Sequence, residues 1–195
     1  MKRRRILRSL IVVGLVGTCA ATGTFAAFSA STSSAGNSFS AGTVAIADND
    51  AGSALLSLPA AAPGQSTTSC ITVTYSGSLD AGVRLYTTLS GGLAPYLNLV
   101  VTRGTDPSPV FSSCSGFNAD GTNYIGQGAG VIYSGTLAAF PATYAAGLVD
   151  PLTGAPETWT AGEKHSYRFA VTLAANDAAQ GLSQTAAFTW EARNL

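Results

Sequence analysis

The chain has 195 residues, 46% hydrophobic and only 10% charged, and five of its ten basic residues (Lys2, Arg3, Arg4, Arg5, Arg8) precede every acidic one. From Ala27 onward, Arg84, Arg103, Lys164, Arg168 and Arg193 face ten acidic residues, a formal charge of −5. That balance excludes the basic patch of a nucleic-acid binder, does little to oppose self-association, and leaves length for one domain with a real core.

The first expected element is an export signal: a basic start, a short apolar run and small residues after it. The run Leu10 to Ala21 is 12 residues long, about 18 Å as a helix, against about 30 Å of membrane hydrocarbon. Extended to Phe28 it reaches 19 residues, so a retained anchor is the alternative, and membrane contact is expected only through that uncleaved segment. Thr24 and Ala26 offer small side chains for a cut between Ala26 and Ala27; Phe25-Ala26-Ala27 and Phe28-Ser29-Ala30 compete. Arg3-Arg4-Arg5 also has twin-arginine character, and Val16-Gly17-Thr18-Cys19 is a loose lipoprotein box with a large residue before the cysteine. The expected division is 1–26 signal peptide, 27–47 N-terminal extension and first strand, and 48–195 β-sandwich domain. The expected location is secreted, at the cell surface or in an extracellular matrix.

Beyond the signal the strand signals follow in order. Thr43–Ala47 alternates and stops at the turn-forming Asp48-Asn49-Asp50-Ala51-Gly52. Ala54–Leu58 reads as a second short strand ended by Pro59. Ser69–Tyr75 is the clearest, with Ile71, Val73 and Tyr75 on one face. Ala81–Leu89 and Leu97–Thr102 follow, then a Gly/Ser/Pro/Asn/Asp-rich loop over 103–130 and a short strand at Val131–Tyr133. Gly135–Gly147 is ambiguous, its helical spacing interrupted by Pro141. Ser166–Leu173 alternates well, Asn176–Gly181 is a turn or one helical turn, and the final strand places Ala186, Phe188, Trp190 and Ala192 on one face. Seven to nine such strands predict an all-β, two-sheet antiparallel sandwich. Jelly-roll and immunoglobulin-like topologies both fit the pattern, although both tryptophans follow Cys114 rather than lying between two cysteines.

Cys19 falls in the signal, leaving Cys70 and Cys114. In an oxidising exterior a lone pair is expected to form one disulfide. Free thiols or a metal site are the alternatives, but two cysteines and the single histidine, His165, are too few for a convincing structural zinc centre.

Gly23-Thr24-Phe25-Ala26-Ala27-Phe28-Ser29 and Asn37-Ser38-Phe39-Ser40-Ala41-Gly42-Thr43-Val44 resemble the start of TasA/camelysin-type proteins, whose SipW-type signal runs into a first strand. Trp159-Thr160-Ala161-Gly162-Glu163, Tyr167-Arg168-Phe169, Asn176–Gly181 and Phe188-Thr189-Trp190-Glu191-Ala192 are similar to the end of that family. The resemblance implies a jelly-roll domain outside the cell and, for some members, biofilm-matrix fibres. In those fibres a freed N-terminal strand completes the sheet of the next subunit. The camelysin side implies a metallo-endopeptidase.

For catalysis the residues offer little. His165 sits in Gly-Glu-Lys-His rather than His-Glu-x-x-His, so Glu163 and His165 form at most a weak metal pair, and a solvated turn is expected there. No nucleophile elbow accompanies the serines. Asp48-Asn49-Asp50 reads as a turn rather than a calcium loop, because the twelfth position is Pro59. Tyr75, Tyr86, Tyr96, Trp159 and Trp190 are candidates for a sugar-binding face, with Trp190 and Tyr167 better read as core. No catalytic residue and no cofactor are expected. The expected function is a structural protein of the surface or matrix that self-associates and meets other surface or matrix proteins. A metallo-endopeptidase and a carbohydrate- or partner-binding module are the alternatives.

Overall fold

Apolar and polar side chains alternate along the long strands, and the apolar rows face each other across two sheets. The computed structural model describes residues 41–105, 109–152 and 155–195. The expected signal peptide, its Ala26/Ala27 cleavage point and the extension up to residue 40 lie outside the described residues. In chain order the strands are β1 (Ile46–Asp48), β2 (Ser66–Tyr75), β3 (Ala81–Gly91), β4 (Leu97–Arg103), β5 (Val131–Thr136), β6 (Leu148–Val149), β7 (Pro151–Leu152), β8 (Ala155–Pro156), β9 (Thr158–Trp159), β10 (Lys164–Leu173) and β11 (Gln184–Asn194). One antiparallel sheet runs β1-β2-β10-β4-β5, the other β11-β3-β6 with β9 also on β3, and β7 pairs β8. This is the all-β, two-sheet antiparallel sandwich that the alternation predicts.

The register explains the core. Phe169 lies opposite Val101, Val171 opposite Leu99 and Leu173 opposite Leu97, so β10 and β4 present one apolar face. On the other side of β10, Tyr167 is paired with Ile71 and His165 with Val73. Across the sandwich, the Phe169 ring lies 4.8 Å from Phe188 and 5.9 Å from Trp190 of β11. Each fully buried Val, Leu, Ile or Phe contributes about 1.5–3 kcal/mol relative to exposure, so these facing rows are the main force holding the sheets together.

Cys70 and Cys114 are bonded, with Cα atoms 4.9 Å apart. Cys70 is on the face of β2 opposite Ile71 and Val73, so the bond pins the loop between β4 and β5 to the outer side of that sheet.

The structure differs from the sequence reading in three places. Ala54–Leu58 forms no strand; Leu55 and Leu56 pack on the core, but among the described residues the segment pairs with no neighbouring strand. The strand expected at Thr43–Ala47 forms instead at Ile46–Asp48, because the Thr43 carbonyl accepts from the amides of Ser78 and Leu79 at 2.9 and 3.3 Å. The stretch from Leu148 to Trp159 holds four strands of two residues each, too short to show any period. The ambiguous Gly135–Gly147 contains two single 3-10 turns, Leu137–Ala139 and Tyr144–Ala146.

Candidate functional site

Two regions at opposite ends of β10 carry features beyond folding: a buried ionic centre and an apolar groove.

The ionic centre begins with a break in a pattern. Leu97, Leu99 and Val101 of β4 point into the core, and Arg103 continues their row, paired with Tyr167. A guanidinium at an inward position must find carboxylates. Gly130 and Gly104 allow the following loop to close on it: a Cβ at Gly130 would meet the Arg103 carbonyl, and one at Gly104 would meet Ser166 and Phe117. The loop thereby delivers Asp120, whose Oδ2 lies 2.9 Å from Arg103 Nη1, and Tyr124, whose hydroxyl accepts from Nη1 at 3.1 Å. Glu157 Oε2 meets Nη2 at 2.5 Å, and Asp150 Oδ1 meets Nε.

Asp150 links this cation to His165. Its Oδ2 accepts from the Tyr167 hydroxyl at 2.6 Å and lies 2.7 Å from His165 Nδ1. The other ring nitrogen, Nε2, lies 2.9 Å from Glu163 Oε1. A carboxylate oxygen at each ring nitrogen favours a proton on both, the imidazolium form. Arg103 Nη2, 3.2 Å from Nδ1, is then a neighbouring cation rather than a hydrogen-bond donor to the ring. Burial opposes the charge on His165, but the hydrogen bonds and charges of Asp150, Glu163 and Glu157 raise its pKa above the ordinary value. Burial also opposes the charge on Arg103, and Asp150 and Glu157 more than restore it. Desolvation raises the pKa of Glu157 despite its cationic neighbours. Glu163 is lowered against its own burial, by the Thr160 amide and by His165. Trp159 covers the imidazole, ring on ring, at 4.1 Å and 22°.

This arrangement is a lock rather than a reactive site. His165 is 6% exposed, not in the solvated turn expected for it. Both of its nitrogens are occupied, both described cysteines are bonded, and Ser166 Oγ donates to the Thr105 carbonyl at 3.2 Å. Asp150, Glu157 and His165 do bring ligand-type atoms within 4.8 Å of one another. A catalytic zinc needs those atoms free and one coordination position open, whereas here the carboxylates face Arg103 and the imidazolium. The donor set does not fit such a metal. The weak metal pair of the sequence reading, Glu163 and His165, is brought together, but each is the other's partner.

Sequence reasoning found Glu163 and His165 but not Arg103, Asp120, Asp150 or Glu157. Arg103 left one legible trace, a charge at an inward position of an apolar strand. The three carboxylates sit in irregular or very short elements and left none. The five aromatic candidates do not share one exposed face: Tyr75 and Trp159 are fully buried, Trp190 is half-buried against Phe169, and Tyr86 and Tyr96 are half-buried elsewhere. Asp48–Asp50 is the expected turn, with Asp48 Oδ1 accepting from the Asp50 amide at 3.2 Å and Asp50 Oδ1 from Gly52 at 2.6 Å.

At the far end of β10 the two sheets part. An open cavity of about 880 Å³ lies between them, lined by Ile71, Val171, Leu173, Ala186, Phe188 and Trp190. Leu55, Leu56 and Leu58 line it from the side. β11 runs along it as the edge strand of its sheet, paired only with β3 among the described residues. The buried indole N–H of Trp190 has no partner among them either.

Fold and sites together define a disulfide-bonded antiparallel sandwich with an ionic lock at one end and an apolar groove beside β11, a sheet edge with no second partner among the described residues. No family model matches this chain, and none of the curated proteins compared with it matches.

Proposed function

We propose that this protein is an exported structural subunit of the cell surface or extracellular matrix, and that copies assemble when the N-terminal segment of one enters the groove of another. The observation that carries this reading is the groove along β11. An unpaired strand edge beside an exposed apolar trough accepts an added strand, whose backbone gains partners while alternate side chains are buried. The chain carries a segment of suitable kind. Residues 27–40 are uncharged, rich in Ser and Ala, and include Phe28 and Phe39. Fourteen residues extend to about 46 Å, and the eleven residues of β11 span about 36 Å at the same rise. Within one copy the chain from Thr43 to Asp48 is held by β2 and the Ser78 turn, so its own leader is tethered at a fixed point.

The resemblance to TasA/camelysin-type proteins supports the same reading, including a jelly-roll topology and a SipW-type signal. The disulfide supports maturation in an oxidising compartment. The ionic lock weighs against the metallo-endopeptidase alternative, since its carboxylates are already engaged.

Size measured by light scattering tests the proposal, comparing a chain that begins at Ala27 with one that begins at Ala41 and so keeps β1. Large assemblies from the first and single copies from the second are expected, with equal circular dichroism. Single copies from both would overturn assembly through this segment.

A further inference from the structure

The groove has a resident. Between the turn at Asp50–Ser53 and the turn at Ala62–Gln65, the chain from Ala54 to Ala61 crosses the open side of the sandwich. Among the described residues its backbone forms no ladder with any neighbouring strand, and its one regular feature is the tight turn at Pro59-Ala60. Its ends are tied. Asn49 Oδ1 accepts from the Thr72 amide at 2.9 Å, and Gly64 N donates to the Leu173 carbonyl at 2.8 Å. Between those ties only side chains hold it: Leu55, Leu56 and Leu58 are partly buried along the groove, while Ala54, Ser57, Pro59 and Ala60 face solvent. Its backbone is also strained, because Ala60 has φ +49°, a left-handed conformation disfavoured by a Cβ. A segment with apolar anchors, no backbone ladder and local strain is the least protected kind of structure in a folded domain.

We propose that Ala54–Pro63 is a built-in strap that covers the groove in the single copy and is displaced when the N-terminal segment of a second copy enters. This rests on the assembly reading above and adds its control. Leucines of the strap and apolar side chains of the incoming segment compete for Ile71, Val171 and Phe188. The incoming strand gains a backbone ladder on β11 that the strap lacks. Closure by the strap lowers apparent affinity by the fraction of molecules in which the groove is open. It thereby keeps freshly folded copies apart until their concentration is high.

The test uses the chain beginning at Ala41, which lacks the inserting segment and is expected to stay as single copies, a variant of it carrying Leu55→Ser, Leu56→Ser and Leu58→Ser, and two probes. The first probe is an environment-sensitive apolar dye; the second is a labelled peptide of residues 28–40. The variant is expected to bind more dye and to bind the peptide about tenfold more tightly. Unchanged dye binding would overturn the strap as a cover. Raised dye binding with equal peptide affinity would overturn displacement. If the peptide binds neither chain while dye binding rises, the assembly reading itself falls and displacement falls with it. Hydrogen exchange on the unaltered chain guards against a variant that fails to fold. Amides of Ala54–Ala61 are expected to exchange about a hundredfold faster than those of β2; equal protection would overturn the proposal.

Discussion

The two ends of β10 are held by opposite kinds of force. At its start, Lys164 to Tyr167, the backbone pairs with β2 throughout and with β4 from Tyr167 onward, and the side chains of His165 and Tyr167 enter a network of cations and carboxylates. At its end, Val171 and Leu173 border a groove where sheets separate and a strap lies on apolar contacts alone. Directional bonds in a buried place fix one geometry, because every alternative leaves a charge without a partner. Apolar contacts reward burial of any suitable side chain and allow one segment to substitute for another. The same strand thus joins a region that must stay as it is to a region suited to exchange.

Breaking the ionic end should have the largest effect. Arg103→Met leaves Asp150, 1% exposed at its side chain, and Glu157 without their main cation. A loss of about 3–5 kcal/mol is expected, the usual cost of removing one partner of a buried pair. Urea unfolding measures it, and a change below about 1 kcal/mol would mean the network behaves as a surface pair. Replacing both cysteines by serine comes next. The bridged residues are 44 apart, so the unfolded chain gains freedom equivalent to about 3–4 kcal/mol, and the loop bearing Asp120 and Tyr124 loosens first. Proteolysis within the loop between β4 and β5 should accelerate, while cleavage in the strap should change less.

A smaller effect is expected from pH. The folded-state pKa of His165 is raised above 6.5. The stability it contributes is complete below that ordinary value and declines as pH rises through the raised one. Glu157, raised from 4.5, acts in the same direction, since folding favours its protonated form. Glu163 and Asp120 are lowered, so their contribution is lost as pH falls through their depressed values. Stability is therefore greatest in mildly acidic solution. Unfolding midpoints should fall from about pH 6 to about pH 9, and His165→Gln should flatten that slope. The smallest effect belongs to the strap: Ala60→Gly removes the left-handed Cβ penalty and should stabilise the single copy by about 1 kcal/mol. Under the proposal it also slows assembly, which light scattering with time would detect.

The architecture was legible because the long strands carry clean two-residue alternation, as in Tyr167, Phe169, Val171 and Leu173. Ala54–Leu58 misled for a physical reason: three leucines near a proline give the pattern of a strand, but among the described residues the segment is held by its side chains and pairs with no neighbouring strand. The disulfide followed from the count of cysteines and the expected compartment. Glu163 and His165 drew attention by residue type, yet their role depends on Arg103, Asp150 and Glu157. Those residues meet only through tertiary closure, so no local spacing marks them.

The longest ladders set the order in which this protein can form. β2 pairs with β10 over nine positions, Thr74 to Ser66, and β3 pairs with β11 over eleven, Ala81 to Gly91. Both ladders join strands near the beginning of the domain to the last two long strands of the chain. A nascent chain lacking β10 and β11 has no completed sheet in either layer, and closing such distant contacts is slow. Folding therefore waits until β10 and β11 are both present, and neither layer can close around its core before then.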